Sequence, residues 1–180
     1  VLQLEIPERE YFDEETFTFI KYKKEVLQLE HSLVSISKWE ATWHKPFLGK
    51  TPKTVEEMTD YLKCMTITQN VKPEIYMNLP QSIFDKVEDY MNQTMTATWF
   101  NDPPNAPKSK EIITSEIIYY WMIAQNIPIE CQKWHLNRLL TLVRVCSIKN
   151  QPPKKQNKKD MLSQRNALNQ ARRAQHNTKG

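Results

Sequence analysis

The chain has 180 residues, 39% of them hydrophobic, with 25 basic and 21 acidic side chains for a formal net charge of +4. That suffices for one domain with a core. Only two glycines occur, Gly49 and Gly180, which excludes a glycine-rich phosphate loop and argues against a sheet built on tight turns. No run approaches the roughly 20 apolar residues that cross a bilayer, and no basic-then-apolar leader opens the chain, so the expectation is a soluble, unsecreted protein without a membrane partner.

In chain order, Val1 to Pro7 alternates apolar Leu2, Leu4 and Ile6 with polar neighbours, the period of a half-buried strand. Val1 in first place fits a valine-coding start codon, or a processed or shortened N-terminus. After the acidic Asp13-Glu14-Glu15, Thr16 to Tyr22 alternates again through Phe17 and Phe19, and the two segments are expected to form a small antiparallel hairpin. Two strands alone are marginal in water, so the hairpin must lie on helices or pair with another chain. From about Lys24 the spacing of Val26, Leu29, Leu33, Ile36 and Trp43 predicts one helix that stops before Pro46, with Ser32, Ser35 and Ser37 mostly on its other face.

Thr54 and Glu57 fit a capping box that starts a helix burying Met58, Tyr61, Leu62 and Met65. One further turn is expected after Pro73. The next helix, from about Pro80 to Met91, places Ile83, Phe84, Val87, Tyr90 and Met91 on one side and Asp85, Glu88 and Asp89 on the other. Met95 to Phe100 is open between strand and loop, and Asn101 to Lys108, with three prolines, reads as a surface connection. Ser109 to Ile148 is the most apolar stretch. With Ser109 as N-cap, Ile113, Ile117, Tyr120, Trp121 and Ala124 share a helix face expected to be the buried one. Pro128 breaks that helix, and a second, from about Pro128 to Ile148, turns Cys131, Leu136, Leu139, Leu140 and Val143 inward. The short link at residues 125–127 suits an antiparallel pair.

Beyond Ile148 the composition changes. Residues 149–180 carry nine basic groups and one acidic, whereas residues 1–148 carry 16 basic and 20 acidic. The fold class expected is therefore mainly α: a compact helical body with an N-terminal hairpin over 1–148, and a basic, partly helical or disordered tail over 149–180.

Few residues suggest chemistry. Cys131 and His135, four apart, supply half of a zinc site, but Cys64, Cys146, His31 and His44 add no paired spacing. No glycine-lined oxyanion turn accompanies a cysteine; the three read as buried, reduced thiols of an intracellular protein. The carboxylates lie opposite apolar helix faces and read as solvated. No catalytic, metal or cofactor residue is assigned, and an enzyme is the least supported class. Trp39, Trp43, His44 and Phe47 form either a ligand platform or core, and Tyr119, Tyr120 and Trp121 in succession cannot all face one way on a helix. Candidate partner-binding residues are Trp39, Trp43, Tyr119 and Trp121 in the body and Lys154, Lys155, Lys158, Lys159, Arg172 and Arg173 in the tail. The tail's cations suit phosphates or an acidic or helical protein; without interleaved aromatics, base stacking is disfavoured.

VLQLEHSLVSISKWEATWHKPFL (Val26 to Leu48), YLKCMTITQNV (Tyr61 to Val71), EIITSEIIYYWMIAQNIPIECQKWHLNRLLTLVRVCSIKN (Glu111 to Asn150) and the ending ARRAQHNTKG resemble small proteins of tailed bacteriophages with long, non-contractile tails. The resemblance covers nearly the whole chain and includes no catalytic motif. It implies a tail assembly chaperone: a largely helical protein of the host cytoplasm that coats the tape-measure protein, keeps it soluble and helps recruit tail-tube subunits, in many systems with a longer frameshifted form. Separately, the hairpin edge or the aromatic patch is expected to join neighbouring copies. Two other classes stay open: a structural virion protein, such as a head–tail connector or minor tail component, and a nucleic-acid-binding accessory protein acting through the tail.

Overall fold

The computed structural model describes residues 1–13, 17–101, 111–152 and 158–176. The chain divides into two units, Val1–Ile148 and Lys149–Gly180. The first is mainly helical with a small antiparallel β element at its start.

The alternation at the N-terminus forms β1 (Leu2–Ile6), with Leu4 and Ile6 in the core. Its partner is β4 (Glu25–Leu29), not the segment just past the acidic turn as expected: Leu2 lies opposite Leu29 and Ile6 opposite Glu25. Between them β2 (Arg9–Asp13) pairs with β3 (Thr18–Tyr22), Arg9 opposite Tyr22. From Ile6–Glu25 to Arg9–Tyr22 each strand advances by three residues, so both ladders share one register. They are a single hairpin interrupted at Pro7-Glu8 and Lys23-Lys24, where Pro7 has no N–H for the ladder.

The single helix expected from Lys24 to Trp43 is thus a strand followed by a helix, α1 (Leu33–Trp43). In β4, Leu27 and Leu29 are buried while Val26 and Gln28 are exposed, a period of two that pairing with β1 enforces. Helical spacing through Val26, Leu29 and Leu33 is a coincidence of the strand–helix junction. Ser32 and Ser35, expected on the polar face, build the helix start. The Ser32 hydroxyl accepts the Ser35 N–H at 3.3 Å, the Ser35 hydroxyl accepts the Ser32 N–H at 2.9 Å, and both side chains are buried. Before Pro46 the helix ends on left-handed His44, whose N–H donates to the Glu40 carbonyl at 2.8 Å.

α2 (Val55–Met65) has the capping box expected of Thr54 and Glu57, and it buries Tyr61, Leu62 and Met65. A 3-10 turn covers Pro73–Tyr76. α3 (Gln81–Asn92) buries Ile83, Val87 and Tyr90 and exposes Asp85, Glu88 and Asp89. Residues 95–100 hold no regular structure, which answers the strand-or-loop question.

α4 (Ser115–Ala124) starts later than expected, and Ser109 lies outside the described residues. Thr114 stands at the cap position without a side-chain cap bond. The Ser115 N–H donates instead to Glu40 Oε2 at 2.8 Å, while Glu40 Oε1 accepts the Phe47 N–H at 2.7 Å. A buried carboxylate from α1 thereby satisfies the positive N-terminus of α4. Pro128 interrupts the helices as expected, but the second helix does not start there: a 3-10 turn at Ile129–Lys133 and an isolated bridge between Ser32 and His135 come first. Only then does α5 (Leu136–Lys149) begin, with Leu136, Leu139 and Val143 buried and Leu140 half-buried. Cys131 is buried in the 3-10 turn, not in a helix. α1 packs against α2 and α4 and is the central element of the core. In the second unit, α6 (Lys158–His176) is a helix with Leu162 and Leu168 exposed.

Candidate functional site

Among the described residues no three His, Cys, Asp or Glu are placed to hold a metal ion. Both ring nitrogens of His135 are engaged: Nε2 donates to the Tyr90 carbonyl at 3.1 Å, and Nδ1 accepts the Asn137 N–H at 3.3 Å. His31 Nδ1 meets the Tyr61 hydroxyl at 2.5 Å, and the His31 and His135 rings are edge to face at 5.2 Å. Burial drives the His31 pKa down to about 3, with the second imidazole adding to it, and burial also lowers His135. Both rings are neutral core groups. All three cysteines are free; Cys131 is buried, but Cys64 and Cys146 are half-buried, short of the burial expected. Desolvation pushes the Cys64 thiol up to about 11, the direction opposite to an activated nucleophile.

The aromatic cluster divides. Trp39 is 1% exposed, donates its indole N–H to the Glu57 carbonyl at 2.8 Å and packs edge-on against Phe47, so it belongs to the core of the protomer. Phe47 is buried against Tyr61, and His44 is exposed at the helix end. Trp43 is half-buried. It stacks on Trp39 and donates to Asp60 Oδ2 at 3.0 Å, and it borders an open groove of about 680 Å³ together with Val55, Thr59, Tyr76 and Met77. Val55 and Met77 are largely exposed along that groove.

α4 holds the other two body candidates. Tyr119 is half-buried and donates its hydroxyl to Gln132 Oε1 at 2.8 Å; Trp121 is half-buried as well. The face expected to be core is not the one that is packed. Ser115, Ile118 and Met122 are buried on α1's side, whereas Tyr120 is 67% exposed, Ala124 is exposed, and Ile113 and Ile117 are only partly covered. Ile123, which lies outside the face that periodicity selects, is 72% exposed. In SEIIYYWMIA the only charge is Glu116, so apolar residues surround the helix and periodicity cannot choose between faces. The signal is the missing polar face itself. A helix that is apolar all round is ordinarily covered all round, so Ile117, Tyr120, Trp121 and Ile123 form an open hydrophobic surface of the kind that binds another helix.

Of the tail candidates, Lys154 and Lys155 lie outside the described residues, Lys158 and Lys159 open α6, and Arg172 and Arg173 are exposed near its end. Arg165 and Arg172, seven apart, share one flank of α6. Among the described residues no helix is long and apolar enough to cross a membrane. The chain matches no family model, no curated protein and no solved structure.

Proposed function

We propose that the protein is a binding protein, not an enzyme, and that it serves in the bacterial host cytoplasm as a tail assembly chaperone for a phage tape-measure protein. The observation that carries this reading is the second apolar face of α4, with Tyr120 and Ile123 largely exposed beside half-covered Ile117 and Trp121. A tape-measure protein is a long helix with apolar stripes that aggregates when bare. A stripe laid on α4 would cover both surfaces, each buried Ile or Tyr contributing about 1.5–3 kcal/mol before ordering costs. The Trp43 groove offers a second contact, and the tail's cations would add salt-sensitive attraction to acidic stretches of the client. The resemblance of the sequence to small phage tail-region proteins supports the same assignment.

The test is co-expression with the neighbouring tape-measure protein, scored by soluble co-purification. The intact chain should carry the large protein into the soluble fraction in many copies; Tyr120→Asp with Ile123→Asp should leave it insoluble. An insoluble, unbound tape-measure protein with the intact chain would overturn the assignment, and finding the chain in purified particles would make it a virion component.

A further inference from the structure

We propose that β3 pairs with β3 of a second copy of this chain, antiparallel across a two-fold axis at Ile20, joining two hairpins into one four-stranded sheet. The surface involved is distinct from α4, so the inference does not rest on the client assignment.

The two halves of the hairpin are in different situations. The inner half is seated on the core through Leu4, Ile6, Leu27 and Leu29, and the outer edge of β4 is occupied: Leu29 bridges Thr66, the Ile67 N–H donates to the Gln28 carbonyl at 2.8 Å, and the Gln28 N–H donates to the Thr68 hydroxyl at 2.8 Å. Further along that same edge, on β3, residues 19–22 make no backbone bond outside the ladder with β2 among the described residues. The side chains here are apolar and open: Phe19 is 69% exposed, Phe17 80% and Ile20 36%. The Phe12 ring meets those of Phe17 at 6.4 Å and Phe19 at 5.1 Å, and among the described residues none of the three stacks on an aromatic ring of the core. At Phe19 and Ile20 the ribbon edge has no backbone partner among the described residues, while along residues 20–25 it borders an open groove whose other wall is residues 72–75. A two-stranded ribbon with such an edge is marginal in water and a template for another strand.

The side-chain rows are compatible with a second copy of the strand. With Ile20 on the axis, Phe19 stands opposite Lys21 of the second copy, and Thr18 opposite Tyr22. Across the four strands one row then reads Phe12, Phe19, Lys21 and Glu10, the last two from the second copy, where Lys21 already pairs with Glu10 at 2.5 Å. At the centre of the alternate row Ile20 meets Ile20 of the second copy, an apolar pair. No like charges are opposed, and each Lys21 lies beside a Phe19 ring. The other edge is less suited, because Arg9 of β2 is drawn into its own protomer, donating to the Ile75 carbonyl at 2.5 Å with its guanidinium over the Tyr22 ring.

Light scattering on the full chain across a concentration series should give the mass of two chains. Ile20→Lys, at a partly exposed position, should keep the circular dichroism spectrum and weaken the dimer about tenfold or more, since it sets two ammonium groups face to face. Ile20→Cys should give a disulfide-linked dimer under mild oxidation, because cross-axis Cβ atoms lie within reach of one another, while Lys23→Cys, off the axis, should stay at the intact chain's background. A monomer at every concentration, a dimer indifferent to Ile20→Lys, or equal cross-linking from positions 20 and 23 would each overturn the pairing. Should Ile20→Lys fail to fold, the cross-linking pair decides alone.

Discussion

Helices α2 and α4 are close in length, 11 and 10 residues, yet they use their apolar residues in opposite ways. α2 is amphipathic: its own capping box starts it, Tyr61, Leu62 and Met65 go into the core, and its polar side faces out. α4 borrows its N-terminal cap from Glu40, buries a narrow strip at Ser115, Ile118 and Met122, and leaves Tyr120 and Ile123 uncovered. A helix with one apolar face has committed its hydrophobic surface to its own fold; one with two holds the second in reserve for something else.

The contrast is sharpest under mutation. Trp39→Ala, on the α1 face that meets α2, should cost about 3–5 kcal/mol, read as a fall in urea midpoint, because it removes a 1%-exposed indole and its bond to Glu57. Acid should come next. His31 titrates near 6.5 when unfolded and near 3 when folded, so the unfolded chain binds the extra proton. Stability is complete above about pH 6.5 and should fall, by a few kcal/mol in all, as pH drops from there toward 3. The groups facing the pair are the Tyr61 and Tyr90 side chains and Glu30, which accepts from the Tyr90 hydroxyl at 2.7 Å. Glu57, held below the usual carboxylate range by Lys45 and the Thr54 N–H, loses its contribution only below about pH 4.5, so unfolding that sets in between pH 6.5 and 5 reports the histidines.

Glu40→Gln should cost about 1–2 kcal/mol, since it replaces one of the two accepting oxygens by an NH2 group that cannot accept an N–H; amide exchange should quicken at Ser115 and Phe47 while α2 stays protected. The smallest effect on stability belongs to Tyr120→Asp and Ile123→Asp, within about 0.5 kcal/mol of the intact chain by thermal melting. If either destabilises by as much as a core change, α4's outer face belongs to the fold and the contrast with α2 collapses.

Legibility in the sequence divides along the same line. Wherever local chemistry and packing agree, as at Thr54-x-x-Glu57, the Pro73 turn or Ile83, Val87 and Tyr90, elements are where their spacing puts them. β4 reads as helix because Leu27 and Leu29 acquire their period from β1, more than twenty residues upstream, and no local pattern carries that. The serines at 32 and 35 look like a polar face because spacing alone does not distinguish a buried cap from a solvated side. For α4 the composition says buried and the periodicity chooses a side, but a nearly charge-free helix gives the choice no basis. Among the candidate residues, Trp43, Tyr119 and Trp121 are half-buried and Trp39 is buried, a difference that their common aromatic chemistry does not announce.

The double acceptance by Glu40 also bears on the order in which the chain becomes structured. Ser115 lies 75 residues downstream of that carboxylate, an interval of roughly 4–15 s at ribosomal rates. For that time α1 and α2 can assemble with one carboxylate oxygen unsatisfied at the place where α4 will dock, and α4 has no cap of its own with which to start. Helix α4 would then be the late arrival of its protomer, completed by a group that has waited for it. Refolding of Glu40→Gln should accordingly show a slowed final phase confined to α4.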